Sequence, residues 1–277
     1  MKKIWFITGA SKGLGLGLVK YLLANGQFVA ATSRKKQELI NAVGVDESPK
    51  FLPLQVDLTN DNEVEAAIKQ ASSHFNGLDV VVNNAGYGIT GTIEELSMEE
   101  VKQNLEINLL ATIRVIHYAL PFLRKQHSGH IINISSIGGF AGALGWPIYT
   151  AAKFAVLGYT EVLAQDVKEL GIKATVIAPG GFRTSFLSTE NLLIAKNRIE
   201  DYTAVHKSQE NYHETHGNQM GDPEKAAKVM LELVRNPNPP IVLFIGTDAY
   251  NRATQKMKEQ RENIENNKNI TLSTDFK

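Results

Sequence analysis

Short apolar runs alternate with longer amphipathic stretches along most of the chain. The runs have the length of strands, and several are almost continuously apolar, which is typical of parallel strands covered on both faces. The predicted strands are Ile4–Thr8, Phe28–Thr32, Phe51–Val56, Val80–Asn83, His130–Ile134, Lys173–Ala178 and Ile241–Ile245. The predicted helices between them are Leu14–Asn25, Asp61–Phe75, Ser97–Gln126, Pro147–Leu170 and Asp222–Arg235. This alternation predicts an α/β fold: a single-domain, doubly wound parallel sheet of about seven strands with helices on both faces.

Two segments depart from this alternation. Residues 185–221 form a long polar insertion between a strand and a helix, and long irregular connections of this kind often act as active-site lids. From about Arg252 the chain is polar and rich in Asn, Lys and Glu, which predicts a surface helix that frays near the C-terminus. We therefore expect one catalytic domain over residues 1–250, with a substrate lid at about 185–221, and a polar C-terminal helix or tail over 251–277.

Composition and charge exclude several classes of function. The 277 residues include 29 basic and 29 acidic side chains, so no net field attracts nucleic acid or an anionic membrane. Cysteine is absent, which excludes disulfides and thiolate catalysis. No apolar stretch approaches the roughly 18 residues of a membrane span, and the run after Lys2-Lys3 is too short for a signal peptide. These features predict a cytoplasmic protein that binds neither nucleic acid nor membranes.

A glycine-rich turn follows the first predicted strand and leads into the first predicted helix. Its sequence is Thr8-Gly9-Ala10-Ser11-Lys12-Gly13-Leu14-Gly15. Glycine permits a tight turn and a close approach of the backbone to a pyrophosphate, and the helix N-terminus offers unpaired N–H groups and a partial positive charge. A glycine loop without a ligand is the alternative, which the motifs further along the chain disfavour. The turn therefore predicts a dinucleotide site.

The spacing Gly9-x-x-x-Gly13-x-Gly15 resembles the fingerprint of the short-chain dehydrogenase/reductase family, in its one-domain branch with TGxxxGxG and YxxxK motifs. The resemblance runs from about residue 3 to about residue 184 and continues more weakly to about residue 245. It implies a Rossmann-type domain whose turn holds the dinucleotide through Gly9, Ser11, Lys12, Gly13, Leu14 and Gly15. Further cofactor contacts are implied for Asp57, Leu58, Asn84, Ala85 and Gly86. For Asn84, a role as a satisfied turn amide is the alternative.

The end of the second predicted strand indicates which dinucleotide binds. NAD-binding proteins of this architecture usually carry an acid there to hold the ribose 2′-hydroxyl, but this chain has Ser33 followed by Arg34. A guanidinium holds a 2′-phosphate with charge-assisted hydrogen bonds, whereas a carboxylate repels it. Lys12 is expected to add a second cation on the same side, and in the family a basic residue at either position resembles the NADP(H) pattern. NADP(H) is therefore the predicted cofactor, and the alternative is that Arg34 only solvates a helix start.

Tyr149 and Lys153 lie four residues apart near the start of a predicted helix, so they share one helix face. The ordinary pKa of tyrosine, near 10, is too high for ready proton exchange at neutral pH. An ammonium about 5 Å away favours the phenolate by roughly 3 kcal/mol, which lowers the pKa by about two. Tyr149 is thus predicted to act as general acid in reduction and as general base in oxidation.

The resemblance implies two more catalytic residues. Ser136 lies thirteen residues before Tyr149, which is the family's spacing, and its hydroxyl would hydrogen-bond the substrate oxygen. Ser135 is the rival serine, but strand register and family spacing both favour Ser136. Asn108 matches the family's fourth catalytic residue, which would hold a proton-relaying water beside Lys153; a satisfied helix amide is the alternative. Nicotinamide contacts are implied for Pro179, Gly180, Phe182 and Thr184.

Apolar and aromatic side chains that follow the strand ends are candidates for the substrate pocket, although some of them could simply belong to the core. The main candidates are Tyr87, Phe140, Trp146 and Phe186. Their character favours a hydrophobic ketone, aldehyde or alcohol as the small-molecule partner. The insertion also contains His206, His213 and His216, whose spacing does not fit a metal site. We therefore expect no metal and three solvated histidines.

Three functions compete on these observations. The favoured one is an NADP(H)-dependent oxidoreductase that transfers a hydride between nicotinamide and a carbonyl/alcohol pair. A non-catalytic dinucleotide-sensing protein on the same fold is the alternative, and the complete catalytic set argues against it. An epimerase or dehydratase is the third, but such relatives tend to be longer and have a different glycine spacing. The resemblance also implies a homodimer or homotetramer packed through the helices predicted at Ser97–Gln126 and Pro147–Leu170.

Overall fold

The structure, a computed structural model, describes residues 2–188 and 191–276. Its strands are β1 (Ile4–Ile7), β2 (Phe28–Ser33), β3 (Phe51–Gln55), β4 (Val80–Asn83), β5 (Gly88–Thr90), β6 (Gly129–Ile134), β7 (Ile172–Pro179), β8 (Leu192–Ile194) and β9 (Val242–Ile245). Within the described residues, seven of them form one parallel sheet in the order β3-β2-β1-β4-β6-β7-β9. This sheet confirms the predicted fold.

Helices cover both faces of the central sheet. They are α1 (Gly13–Ala24), α2 (Lys36–Val43), α3 (Asp61–Phe75), α4 (Met98–Leu105), α5 (Ala111–Gln126), α6 (Pro147–Asp166), α7 (Thr203–Thr215), α8 (Pro223–Arg235), α9 (Thr247–Asn266) and α10 (Lys268–Leu272). Alternate side chains of β1 enter the two cores. Trp5 and Ile7 pack with α1 and α8, whereas Phe6 packs with α3 and α5. Because both faces of β1 are buried, its sequence is continuously apolar rather than alternating.

The helix predicted over Ser97–Gln126 is present, and it contains a π-helical turn. The segment consists of α4, a π-helical turn over Glu106–Leu110, and α5. A capping box fixes the start of α4: the Ser97 hydroxyl accepts the backbone N–H of Glu100 at 3.2 Å, and the Glu100 carboxylate accepts that of Ser97 at 2.9 Å. The π turn carries Asn108, and such turns occur often at functional sites.

The sequence pattern predicted an irregular insertion at 185–221, but the structure shows regular elements there. The insertion's described residues form a 3₁₀ turn at Ser185–Leu187, the strand β8 and the helix α7, while positions 189 and 190 lie outside the described residues. Strand β8 pairs in parallel with β5 in a separate two-stranded sheet. Three-residue strands are too short to produce a recognisable apolar pattern, so neither was predicted. The insertion is therefore built against the segment that follows β4.

The C-terminal helix α9 begins before the predicted tail. Ala249 and Ala253 are buried against Ile137, so the first turns of α9 belong to the body of the protein. Beyond Met257 the side chains of α9 and α10 are exposed. In the part of the chain that the structure describes, every helix is too short or too polar to cross a membrane.

Candidate active site

The predicted cofactor and catalytic segments follow strands that end at the same edge of the sheet. The glycine turn follows β1, Asn84–Gly86 follows β4, Ser136 follows β6, and Pro179–Thr184 starts at the end of β7. Because these strands are parallel, their carboxyl ends lie together, and this is the edge at which doubly wound sheets bind ligands. The topology therefore places the candidate groups in one region.

Two glycines are required where the turn meets the segment after β4. Gly9 has φ +64°, and a Cβ on it would lie 2.7 Å from the Cα of Ala85; a Cβ on Gly15 would overlap the side-chain amide of Asn84. That amide donates to the carbonyl oxygens of Thr8 (3.0 Å) and Gly9 (2.9 Å). Asn84 is therefore a satisfied turn amide, which was the alternative reading of this residue.

The start of α1 fits an anionic pyrophosphate. The helix begins at Gly13 and has neither a side-chain cap nor an acidic residue in its first turn. Gly13 has φ +60°, and Thr184 lies next to it. A Cβ placed on Gly13 would be 3.8 Å from the Cβ of Thr184. Ser11 lies within the turn, and Leu14 is the second residue of the helix. The N–H groups of this first turn therefore suit a phosphate.

Asn108 and Lys153 converge on Gly86. A Cβ on Gly86 would lie 2.6 Å from Asn108 Oδ1 and 3.3 Å from Lys153 Nζ. The Asn108 amide is fully buried and donates to the carbonyl oxygens of Tyr87 (3.0 Å) and Asn104 (3.1 Å), while its oxygen accepts the N–H of Tyr87 at 3.2 Å. Only glycine at position 86 leaves space between these two side chains.

Tyr149 and Lys153 are buried, and the half-buried Ser136 lies beside them. The Lys153 ammonium lies 5.8 Å from the centre of the Tyr149 ring and donates to the carbonyl oxygen of Ile134 at 2.9 Å. The tyrosine and lysine side chains therefore lie on one face of α6. A Cβ on Gly138 would lie 3.4 Å from Ser136 Oγ and 3.8 Å from Tyr149 Cε1, which places Ser136 beside the phenol ring. The rival Ser135 instead donates to the carbonyl oxygen of Lys153 at 2.8 Å, which anchors the strand end to the helix.

The pKa of Tyr149 shifts in the direction opposite to the sequence prediction. Burial raises the pKa of Tyr149 to about 12, although the hydrogen bond with Ser136 acts the other way. Burial also lowers the pKa of Lys153 to about 8. Desolvation disfavours the charged form of both groups, and the spacing argument considered only the attraction between the charges. In this state the phenol is protonated at neutral pH.

The segment expected to read the ribose 2′ position is exposed at the end of β2. Arg34 is exposed, and the Ser33 hydroxyl accepts the N–H of Lys35 at 3.3 Å. Two hydrogen bonds from Thr59, followed by the positive charge of Arg34, hold the pKa of Asp57 below its usual value. Arg34 and Asp57 thus lie on the same side of the sheet edge, and Leu58 follows as a buried neighbour.

Lys12 was expected to be a second cation on the same side as Arg34, but it lies next to the insertion instead. Its ammonium donates to the side-chain oxygen of Asn191, whose own amide donates to the carbonyl oxygen of Ser185 at 2.9 Å and to the hydroxyl of Ser188 at 2.8 Å. Lys12 therefore links the turn to the segment before β8.

The loop after β7 is shaped by Asp248 at the start of α9. The N–H of Gly181 donates to this carboxylate at 2.7 Å, and a Cβ on Gly180 would overlap it. The N–H of Gly180 donates to the carbonyl oxygen of Ile245 at 2.9 Å, which continues the pairing of Pro179. Phe182 packs against the core beside α1 and α8, and Thr184 accepts the N–H of Phe186 at 3.3 Å.

Two of the four predicted pocket residues lie against Tyr149. The ring of Trp146 is 5.2 Å and that of Phe186 5.8 Å from the Tyr149 ring. Phe140 is instead turned towards β9, where its ring lies 5.0 Å from that of Phe244. The Tyr87 side chain packs with Ile89, Leu96 and Val101 in a separate cluster, although its backbone holds Asn108. The structure therefore brings Trp146 and Phe186, but not Phe140 or the Tyr87 ring, to Tyr149.

Comparison with known proteins identifies the family. The family model of the short chain dehydrogenases matches residues 3–192. The chain belongs to the short-chain dehydrogenase family. Oxidoreductase BOA17 of Botryotinia fuckeliana is 40% identical over 250 residues, which is 90% of each chain. The 3-ketodihydrosphingosine reductase of Bacteroides thetaiotaomicron is 36% identical over 244 residues, which is 88% of each chain.

Solved structures, among them a short-chain dehydrogenase, share the fold. One from Streptomyces avermitilis superposes with a TM-score of 0.90 at 27% identity and covers 100% of both chains. ElxO with NADP bound superposes with a TM-score of 0.72 at 29% identity, over 88% of this chain and 97% of that one. The protein is therefore an oxidoreductase of this family with an NAD(P)-binding fold.

The expectation of three solvated histidines is wrong for His206. Its side chain is buried, and its Nε2 atom lies 2.6 Å from the Glu95 carboxylate. His216 is exposed, and the side chain of His213 lies outside the described part of the structure. The sequence offered no signal for the pairing, because Glu95 precedes His206 by 111 residues.

The sequence analysis of this short-chain dehydrogenase also did not identify two residues of the insertion that lie near Tyr149. Leu192 and Tyr212 pack with Trp146, Tyr149 and Phe186 in one buried cluster. Both lie on elements that the apolar pattern did not predict, β8 and α7. The aromatic character of Tyr212 inside a polar segment was the one available signal.

Proposed function

We propose that the protein is an NADP(H)-dependent oxidoreductase that transfers a hydride between nicotinamide and a carbonyl/alcohol pair, with Tyr149 as general acid and base. The observation that carries the proposal is the placement of the buried Tyr149 and Lys153 on one face of α6, with the Lys153 ammonium 5.8 Å from the centre of the Tyr149 ring and Ser136 beside that ring. Family membership supports the reaction class, and one relative is named as the reductase of a keto compound.

The residues divide the chemistry between them. When bound, the nicotinamide supplies or accepts the hydride. Ser136 hydrogen-bonds the substrate oxygen and stabilises its developing charge. Tyr149, whose pKa is raised to about 12 by burial, holds its proton at neutral pH and donates it to that oxygen in reduction. Lys153, whose pKa is lowered to about 8 by burial, stabilises the phenolate that remains.

The proton must then be restored from solvent. Lys153 is buried, and Asn108 lies beside it across Gly86. We assign Asn108 to the positioning of a water that connects Lys153 with solvent. The oxygen and the nitrogen of the Asn108 amide also hydrogen-bond the backbone of Tyr87. The water would therefore bind to an amide that already makes structural hydrogen bonds.

The proposed cofactor contacts surround the sheet edge. Gly9, Ser11, Gly13, Leu14 and Gly15 would hold the pyrophosphate at the start of α1. Asp57, Leu58, Asn84, Ala85 and Gly86 would line the adenosine side, and Pro179, Gly180, Phe182 and Thr184 the nicotinamide side. Tyr149 and Lys153 would complete the site on the ribose next to the nicotinamide.

Oxidation of NADPH by a panel of aliphatic and aromatic ketones, followed at 340 nm, tests the reaction. We expect turnover of at least one apolar ketone and none without a carbonyl compound. A protein that binds NADPH and reduces no member of the panel would instead be the alternative, a dinucleotide-sensing protein on this fold.

NADP(H) rather than NAD(H) is the proposed cofactor because Arg34 is exposed beside Ser33 where an acid would reject a 2′-phosphate. The double variant Ser33→Asp, Arg34→Ala is expected to weaken NADPH binding by at least about tenfold and to strengthen NADH binding, since one paired charge-assisted contact is lost. Titration of nicotinamide fluorescence measures both dissociation constants. An unchanged ratio would mean that the 2′ position is read elsewhere, and Lys35→Ala serves as the control for charge alone.

We also propose a homodimer or homotetramer that packs through α4, α5 and α6. Leu110, Phe154 and Val162 are exposed apolar side chains on this part of the surface, and clustered exposed apolar groups often mark protein contacts. Light scattering of the purified protein measures the mass in solution. A monomer at micromolar concentration contradicts this assembly.

A further inference from the structure

A buried carboxylate holds the insertion to the body of the protein. Glu95 is 1% exposed, and His206 on α7 is 5% exposed. The Glu95 carboxylate accepts the N–H of Thr92 at 2.9 Å and that of Ile199 at 3.0 Å, and it lies 2.6 Å from His206 Nε2. Two of these three partners belong to the insertion. Burying a carboxylate is costly unless it is fully hydrogen-bonded, so this arrangement strongly favours one position of α7.

The first turn of α7 reaches the loop that precedes the catalytic helix. Gly145 has φ +77°, and a Cβ on it would lie 2.9 Å from Val205 Cγ1. Val205 is the neighbour of His206, and Gly145 is the neighbour of Trp146. The contact between Glu95 and His206 therefore also sets how closely α7 approaches the start of α6.

Tyr212 lies further along the same helix, against Trp146. Their ring centres are 5.3 Å apart at an interplanar angle of 81°, and the Trp146 ring is in turn 5.2 Å from that of Tyr149. The Tyr212 hydroxyl accepts a hydrogen bond from Ser208 at 3.1 Å, which keeps its polar end on α7. The ring of Tyr212 is thus one edge-to-face contact away from the ring that touches the catalytic tyrosine.

We infer that Tyr212 determines substrate specificity, and that Glu95 and His206 are positioning residues that hold it in place. Through Trp146, the anchored helix α7 selects ketones that carry a bulky apolar group next to the carbonyl-bearing chain. A small ketone does not extend to Trp146, so its binding does not depend on Tyr212. The inference rests on the proposed reductase function, and it adds the element that chooses among carbonyl compounds.

The first experiment compares 4-phenyl-2-butanone with acetone as substrates. Tyr212→Ala is expected to raise the KM for 4-phenyl-2-butanone about tenfold, because an aromatic contact is lost, with kcat within about twofold and kcat/KM for acetone unchanged. Tyr212→Phe, which keeps the ring, is the matched control and retains the wild-type KM. Equal losses for the two ketones in Tyr212→Ala would overturn the inference.

The second experiment tests whether the anchor acts through Tyr212. His206→Ala is expected to raise the same KM about tenfold, His206→Gln to recover part of it by donating to Glu95, and the exposed neighbour Lys207→Ala to leave it unchanged. The double variant His206→Ala, Tyr212→Ala should be no worse than either single one, since both changes remove the same contact. Fully additive effects of the two substitutions on KM would show that His206 does not act through Tyr212.

Direct binding separates this inference from the reaction itself. Calorimetric titration of 4-phenyl-2-butanone into the NADP⁺-loaded protein should show weaker binding in Tyr212→Ala, with the dissociation constant of NADP⁺ unchanged. If the wild type binds the bulky ketone more tightly than Tyr212→Ala does but reduces neither ketone, the proposed reductase function fails, while Tyr212 still determines which ketone binds. If Tyr212→Ala binds it as tightly as the wild type does, the inference fails whatever the turnover.

Discussion

Tyr149→Phe is expected to lower kcat for ketone reduction by about a thousandfold, with the dissociation constant of NADPH within about twofold of the wild type. The substitution removes one hydroxyl from a buried ring and leaves the contacts with Trp146 and Phe186 in place. Loss of a positioned general acid typically costs about 10²- to 10⁴-fold in rate. The effect falls on kcat because the proton is transferred only in the transition state.

Stopped-flow measurement of NADPH oxidation under single-turnover conditions reports this step directly. Tyr159→Phe on the same helix is the matched control: its side chain is half-buried and lies outside the catalytic group, so kcat is expected to stay at the wild-type value. A Tyr149→Phe enzyme with more than about a tenth of wild-type kcat would assign the proton donor to another group, such as Ser136.

The central sheet could be predicted because each of its strands carries its own signal. β1 and β4 are buried on both faces, so Ile4–Ile7 and Val80–Val82 are apolar without interruption. The cofactor-binding edge could be predicted as well, since parallel strands bring their carboxyl ends together, whereas the candidate catalytic residues Asn108 and Ser136 came from the resemblance to the family. The spacing of Tyr149 and Lys153 settles that they share a helix face, whatever the rest of the protein does.

Interactions between distant segments could not be predicted in this way. Glu95 and His206 each look like ordinary polar residues, and only the docking of α7 makes them a buried pair. The same is true of Tyr212 and Trp146, whose contact depends on β8 pairing with β5. Phe140 was misplaced because its position after a strand end says nothing about whether its ring turns to the cleft or to β9.

The pKa of Tyr149 shows the same limit in electrostatic form. Residue spacing gives the distance between two charges, and from that distance the attraction. It does not give the burial of the groups, which here raises the pKa of Tyr149 and lowers that of Lys153. Desolvation is a property of the assembled site, so the balance between attraction and burial appears only with the fold.

Lys153→Met is expected to abolish activity and yet to stabilise the protein. Lys153 is 4% exposed, and burial lowers its pKa from 10.5 to about 8. A difference of this size between the unfolded and folded states corresponds to about 3 kcal/mol of lost stability at neutral pH. Methionine removes that penalty but leaves the carbonyl oxygen of Ile134 without its donor, which costs about 1–2 kcal/mol. The net expectation is a gain of about 1–2 kcal/mol in the free energy of unfolding, with kcat reduced by at least about a hundredfold.

The stability difference between Lys153→Met and the wild type is expected to depend on pH. Between pH 8 and about 10.5 the unfolded state binds more protons at Lys153 than the folded state does, so this lysine makes the wild type gain stability as pH rises. Below pH 8 the folded protein carries the full penalty. The stability difference between Lys153→Met and wild type, measured by urea unfolding, should therefore be largest at pH 7 and shrink towards pH 10. Lys168→Met, at an exposed lysine beyond the end of α6, should show no such trend. A Lys153→Met protein that is less stable than the wild type at pH 7 would contradict this prediction. The buried ammonium would then make a net stabilising contribution to the fold, and Lys153 would be a structural residue.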